Sequence, residues 1–488
     1  MQKKQGRLER RAYGIVLTAV FVAAVVILNV LVMAFSDFYG WYFYVTPQYM
    51  HETGGMSDAF LENEDKQQVD IIFCMERDAL EADTVYNLVL QTARQMEADY
   101  DFIRVVDNKN IYLDPQDFTR YQTVYDQDGN LIGKQTITKD SVIFDAGDNF
   151  TVFRMSDFFF LSSEQVIESY NGEEAMASGI RYVLDDTRPI AYFTQGHGEQ
   201  LSSAYIQMFA CAGYDVRMID LSRDKIDARA TIIVCMNPLY DFEKAAAGSG
   251  LHTDMESLEN FLLRGGSFYL FLDPYVKDLK NLSGLIASYG LSVDDSILRV
   301  QAEDAVSIDG YAFMPSYAQS KAASVIASSV QEACSARPFA KDVAPLILNA
   351  DNERGALLEP LLNAGNMATP YQSTEPSGAA GIYPFSALAS ASEESGGGKI
   401  FLMSGIFMTA QDILQSDQRA NRDFFYSVME YTEGKSTPRG ATVLVFESML
   451  LENLTVGESN RYTRMLTLWL PLAVMATGIF IVKKRKRA

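Results

Sequence analysis

Each end of this chain pairs a cluster of basic residues with one apolar stretch long enough to cross a bilayer. Lys3, Lys4, Arg7, Arg10 and Arg11 precede Tyr13 to Phe35, which carries no charged residue. Leu466 to Val482, equally uncharged, runs straight into Lys483, Lys484, Arg485, Lys486 and Arg487. A spanning helix needs about 20 apolar residues, which the first run exceeds and the second approaches. Basic flanks stay on the cytoplasmic side. The expectation is a two-pass protein of the cell membrane, with membrane lipid as a partner, both termini cytoplasmic and the main body extracytoplasmic. A cleaved signal peptide fits less well, because the first run is long and Asn29 to Phe38 offers no small-x-small site. Pro471 interrupts the second run, which membrane helices tolerate. A buried core helix is the alternative there, and the basic tail favours a span.

Charge narrows the partners. Setting aside Glu9 and the five basic residues at each end leaves 31 Lys+Arg against 62 Asp+Glu. That excess argues against binding nucleic acid. The four cysteines, Cys74, Cys211, Cys235 and Cys334, form no CxxC pair. Cys74 and Cys235 sit in similar apolar runs, IIFCM and IIVCM, so buried free thiols are expected. His51, His197 and His252 lack ligand spacing, so neither a metal nor a cofactor is expected.

The pattern of the main body is α/β. Val69–Met75 and Phe102–Val106 read as strands around a helix, Thr84–Tyr100, with apolar residues at Val85, Leu88, Val89, Ala93 and Met96. A right-handed crossover makes those strands parallel. Thr136–Ile143 and Thr151–Met155 read as strands joined by a turn at Gly147, Asp148 and Asn149. From Arg188 the strand–helix alternation becomes regular. Strands are expected at Pro189–Thr194, Asp215–Leu221, Ala230–Met236, Ser267–Leu272 and Lys399–Ser404. Helices are expected at Gln200–Ala212, stopped by Gly213, and at Met255–Leu263, Leu279–Tyr289 and Gln418–Tyr431. Such repeats indicate a doubly wound parallel sheet. The resulting division has a cytoplasmic segment, 1–12, a span, 13–35, and a small α/β domain of thioredoxin-like size, 36–184. A doubly wound domain, 185–435, follows, with an irregular Ala/Ser/Gly-rich insertion at about 300–395. A linker, 436–464, a second span, 465–482, and a basic tail, 483–488, complete the chain.

Gly196-His197-Gly198-Glu199 is the most conspicuous motif, at a strand-to-helix junction where such sheets bind ligands. Asp220, about 20 residues on, gives it part of a dinucleotide fingerprint, but Leu201 holds the third glycine position. No P-loop and no G-x-S-x-G elbow occurs. His197 with Glu199 could act as a base and its partner, with Ser202 as a nearby nucleophile. The plainer reading gives the glycines a tight turn and Glu199 an electrostatic role at the helix N-terminus. Asp273, beside Pro274 at a strand end, is either a ligand carboxylate or a loop acceptor. Asn421 and Asp423 suit a helix N-terminus. Gly196, His197, Gly198, Glu199 and Asp273 are therefore candidate residues for binding an unknown external ligand, and no catalytic set emerges.

The order of these motifs resembles the GldG-like family, auxiliary subunits of bacterial ABC transport systems. The resemblance rests on the early β-α-β unit, the G-H-G-E strand end, ATIIVCMNP, FLLRGGSFYLFLDP, GKIFLMSG and the late Asn421-Arg422-Asp423, between the two terminal apolar runs. It implies a glutamine-amidotransferase-like sheet without catalytic residues, and an ABC permease and cytoplasmic ATPase as partners. The function it implies is non-catalytic, a membrane-anchored accessory subunit that binds substrate or organises the permease. The competing expectation is a membrane-tethered hydrolase or amidotransferase-like enzyme using His197 and Glu199. To test the enzyme, His197→Ala and Glu199→Ala are expected to leave folding nearly intact, and loss of a hydrolytic activity in both would favour it.

Overall fold

In the computed structural model the described residues are 56, 58–61, 67–125, 131–161, 167–185, 187–244, 253–276, 278–301, 303–416, 418–441 and 443–445. Two sheets organise them. The first contains β1 (Val69–Phe73), β2 (Ile103–Val106), β3 (Ser141–Asp145) and β4 (Phe150–Arg154). Its order is β2-β1-β3-β4, with β1 and β2 parallel and the other pairings antiparallel. Two helices, α1 (Arg77–Ala82) and α2 (Thr84–Asp99), lie between β1 and β2. Asp83 caps α2 by accepting from the N–H groups of Val85 (2.9 Å) and Tyr86 (3.1 Å). Val89, Leu90, Ala93 and Met96, spaced along one helical face, are fully buried. The β-α-β unit is as the periodicity predicts. The strand expected from Thr136 begins only at Ser141, because Thr138–Ser141 closes a turn through the Ser141 N–H to the Thr138 carbonyl, 3.1 Å.

A helix, α3 (Gly172–Leu184), then packs on this sheet. Gly179 allows the approach: a Cβ there would lie 2.5 Å from Cε2 of Phe144.

The second sheet has eight strands. In chain order these are β5 (Ile190–Thr194), β6 (Asp215–Ile219), β7 (Ala230–Met236), β8 (Ser267–Leu272), β9 (Ser316–Tyr317), β10 (Leu357–Asn363), β11 (Pro384–Ser390) and β12 (Lys399–Ser404). They lie in the order β6-β5-β7-β8-β12-β11-β10-β9. The first five are parallel and the last three antiparallel. The fold is thus α/β with a mixed sheet. Strand alternation builds a core on each face: Tyr269, Phe271, Phe401 and Met403 point one way, Phe268, Leu270, Ile400 and Leu402 the other. Helices α4 (Ser203–Cys211), α7 (Lys321–Ala333) and α8 (Asn421–Glu433) supply side chains to the first core, and α5 (Asp254–Leu263) and α6 (Lys280–Ser288) to the second.

Residues 300–395, expected as an irregular insertion, instead supply three strands of the main sheet and α7. Two features hide these strands in the sequence. Pro360 lies inside β10, beside a register shift against β11, where a ladder tolerates proline. β11 is built largely of small residues, and its Ala387 and Ala389 are fully buried.

Asn421 does not cap α8, as expected, since the helix already begins there. Its side chain instead accepts from the Phe339 N–H and donates to the Phe339 carbonyl, both at 2.8 Å. Asp423 accepts from the Gly440 N–H at 2.8 Å. The chain after α8 therefore runs back along the fold, and Leu444–Val445 pairs with Ile167–Tyr170.

The expectation of a two-pass membrane protein is corrected here. Among the described residues no helix is long and apolar enough to cross a membrane. The longest of them, α2, has 16 residues. The runs read as spans, 13–35 and 465–482, and their basic flanks, 1–12 and 483–488, lie outside the described residues.

The first core of the large sheet contains one costly group. Tyr205 is fully buried among Phe193, Phe209, Phe271 and Phe425, and its hydroxyl has no partner among the described residues. Tyr205→Phe removes an unpaired buried donor while keeping the ring, and is expected to raise stability by about 1 kcal/mol. A denaturant midpoint that falls in this variant would contradict the assignment.

Candidate functional site

The strand order reverses at β5. It connects through α4 to β6 on one side, while β7 connects through α5 to β8 on the other. The crevice between the carboxyl ends of β5 and β7 is where open α/β sheets bind ligands. Residues 195–200 leave β5 at this point. Gly196 (φ 115°) and Gly198 (φ 74°) take left-handed backbone, so the glycine requirement read from the sequence holds. A Cβ on Gly198 would also crowd Leu239 at 3.1 Å and Tyr240 at 3.3 Å. The loop after β7 closes over this turn. The His197 carbonyl accepts from the N–H groups of Leu239 (2.8 Å) and Tyr240 (2.9 Å), and the Gln200 N–H donates to the Met236 carbonyl at 2.8 Å. The two loops are tied together across the crevice.

His197 lies between two carboxylates. Its Nδ1 is 3.4 Å from Oε1 of Glu199, and its Nε2 is 3.2 Å from Oδ2 of Asp254. The ring packs against Phe242 with centroids 4.3 Å apart. Glu199 Oε2 also accepts from the His197 backbone N–H at 2.9 Å, and Asp254 Oδ2 from the Glu243 N–H at 3.0 Å. Side-chain exposures are 10% for His197, 2% for Glu199 and 1% for Asp254.

Burial opposes a charge on this imidazole. The hydrogen bonds and charges of Asp254 and Glu199 outweigh it and push the His197 pKa up to about 9. Burial likewise acts to raise both carboxyls, and the bonds from His197 and from backbone N–H groups hold them below their ordinary values. His197 is therefore an imidazolium at neutral pH, with both ring N–H groups donating. In that state it has no lone pair with which to take a proton. The Ser202 hydroxyl is engaged by the fold. It accepts from the Tyr205 N–H at 3.2 Å, capping α4, and donates to the Thr409 carbonyl at 2.5 Å. Because α4 starts at Ser203, Glu199 lies outside its first turn; its role is to bind His197. Burial of all three side chains argues against the expectation that His197→Ala and Glu199→Ala leave folding nearly intact.

A pH dependence follows from the raised histidine. Its folded pKa, about 9, exceeds the free value of 6.5. The stabilisation is fully present below pH ~6.5 and is lost as pH rises through ~9, about 3 kcal/mol in total. Thermal unfolding should show wild-type stability falling across that window, and His197→Gln should flatten the fall. An equal fall in both proteins would contradict the assignment.

Asp273 stands apart from the GHGE cluster. Its N–H donates to Oδ1 of Asn237 at 3.0 Å, and Nδ2 of Asn237 donates to Oε1 of Gln200 at 3.0 Å. The Asp273 carboxylate accepts from the Tyr275 N–H at 2.9 Å, the loop role that competed with ligation. It also lines a cleft of about 180 Å³ with Asp278, Asp294 and Asp295. Among the described residues no group of His, Cys, Asp or Glu is placed to hold a metal ion. Asp220 turns its carboxylate to the N–H (3.1 Å) and hydroxyl (2.6 Å) of Ser222. All four cysteines are free, and Cys74, Cys211 and Cys235 are buried, which pushes their thiols up.

Sequence reading missed Asp254, Phe242 and Asn237. Asp254 is 57 residues from His197, and nothing local marks it. Asn237 had a signal: it is the first polar residue after the apolar ATIIVCM strand, and it takes a left-handed φ of 47°.

No family model matches the chain, and no curated protein matches it. Solved structures similar to part of it include the mmIFT52 N-terminal domain, at 15% identity and a TM-score of 0.37, covering 50% of this chain and 97% of that one. A ThuA-like protein from Bacteroides uniformis matches at 12% identity and a TM-score of 0.28, covering 52% of this chain and 96% of its own. A ThuA-like protein from Parabacteroides merdae matches at 10% identity and 0.29, covering 53% and 98%. Likenesses at these scores carry no argument about what the chain does.

Proposed function

We propose that the chain is a non-catalytic accessory subunit of an ABC-type transport or secretion system, with a permease and an ATPase as partners, as its GldG-like motif order implies. The observation that carries the non-catalytic part is the state of the crevice. Its histidine is held as a cation by two buried carboxylates, and its two loops are joined by backbone hydrogen bonds. A histidine already protonated at neutral pH is not poised to begin a reaction as a base. The larger unit fits an amidotransferase-like sheet that has lost its nucleophile, since Cys211 and Cys235 are buried and sit in no elbow. The smaller unit fits a thioredoxin-like core, a β-α-β followed by an antiparallel hairpin, without a CxxC pair. Such a body contributes surface and organises its partners, which supply the energy and the pore. Co-purification of the full chain with any ABC ATPase and permease whose genes adjoin its own tests the reading. Recovery of both at stoichiometric levels is expected; absence of such a pair, or failure to retain it, overturns the proposal.

A further inference from the structure

The apolar cores of the two sheets do not merge. Among the described residues, the buried core shared by the first sheet and α3 is drawn from residues 56–183 and then from Ala441 and Leu444, with no member between. The buried cores on the two faces of the second sheet are drawn from residues 190–429. The larger unit is therefore inserted into the smaller one. The chain crosses between them twice, after α3 ends at Leu184 and after α8 ends at Glu433.

The two crossings lie side by side. Nζ of Lys435, on the return, is 3.5 Å from Oδ2 of Asp185, on the way out, and donates to the Gly213 carbonyl at 3.0 Å. Gly434 (φ 66°) turns the return crossing away from α8 through left-handed backbone. A few residues at the ends of elements are what absorbs the rotation of a hinge.

Polar groups hold the units together. α3 packs on α4, and Glu174 of α3 meets the Tyr426 hydroxyl and Arg422 from α8. Asn171 donates to Glu174, yet its buried Oδ1 has no partner among the described residues. Closure keeps these charges and polar atoms dry, and opening returns them to water. Polar interfaces of this kind between domains permit relative motion. Cys211, at the end of α4 and 6% exposed, faces Ser178 of α3 and belongs to neither unit's apolar core.

We propose that the two units open as rigid bodies about the paired crossings, with Glu174, Arg422 and Tyr426 as the latch. The inference stands apart from the accessory reading and does not need its partners.

Maleimide labelling of the cysteines in the folded full chain, followed peptide by peptide by mass spectrometry, tests it. Cys74 and Cys235 lie inside apolar cores of the smaller and larger units and report the unfolding of each. With each rate referred to that of the denatured chain, Cys211 is expected to label at least about tenfold faster than either. Tyr426→Phe keeps the ring and removes the hydrogen bond to Glu174. It should speed Cys211 by a further factor of about ten and leave Cys74 and Cys235 unchanged. Equal protection of the three thiols in the wild type would overturn the hinge. So would a Tyr426→Phe variant in which all three accelerate together, or in which Cys211 does not accelerate.

Discussion

Replacing His197 with alanine is expected to destabilise the protein by about 3–5 kcal/mol, because it leaves Glu199 and Asp254 as buried carboxylates without their cation. A loop histidine of no structural weight would cost within about 0.5 kcal/mol. The side-chain exposures decide between these, at 2% for Glu199 and 1% for Asp254. Against a total stability of roughly 5–15 kcal/mol, the loss is a large fraction. Neutralising the partners should recover part of it. His197→Ala combined with Glu199→Gln and Asp254→Asn is expected to be more stable than His197→Ala alone, with a coupling of at least about 1 kcal/mol. Denaturant unfolding of the series measures both quantities. Additive effects would mean that the three side chains are not one unit.

The second large effect is expected at Glu174. This carboxylate, on α3, accepts from the Tyr426 hydroxyl and from Nδ2 of Asn171, and lies 3.7 Å from Nη1 of Arg422. The Arg422 side chain is 10% exposed and that of Glu174 only 3%. Burial works against the Arg422 charge, yet Glu174 and the neighbouring Asp423 hold its pKa above the ordinary value. Arg422 also donates to the Ala441 carbonyl in the returning segment. One buried ion pair thus joins the helix on the first sheet, the last helix of the second and the chain that follows it. Glu174→Ala should cost about 3–5 kcal/mol by stranding the guanidinium. Glu174→Gln with Arg422→Met replaces the pair by groups of similar volume and should cost much less. A double variant as unstable as Glu174→Ala would show that packing, and not the stranded charge, carries the energy.

These two clusters explain what was legible in the sequence. Val69–Val106 could be read because apolar spacing changes period from strand to helix and back, and both sheet cores depend on that spacing. Ser267–Leu272 and Lys399–Ser404 were likewise readable, since both are buried on two faces and rich in large apolar residues. β10 and β11 were not, because Pro360 breaks the one and alanines dilute the other. The Gly196-His197-Gly198-Glu199 turn was visible from its glycines. Its chemistry was not, because the residue that fixes the charge of His197 is Asp254, contributed by a different helix. Asn421-Arg422-Asp423 looked like a helix start. Its three side chains reach Phe339, Glu174 with Ala441, and Gly440, contacts that only the tertiary fold creates.

If Glu199 and Asp254 hold His197 as a cation, the ring is not poised as a catalytic base. A titration of that ring by nuclear magnetic resonance, in the folded full chain, tests this most directly. An imidazolium that keeps both ring protons through neutral pH and titrates near pH 9 is the expected result. A ring that is neutral at pH 7, with one nitrogen unprotonated and available to a substrate, would contradict it.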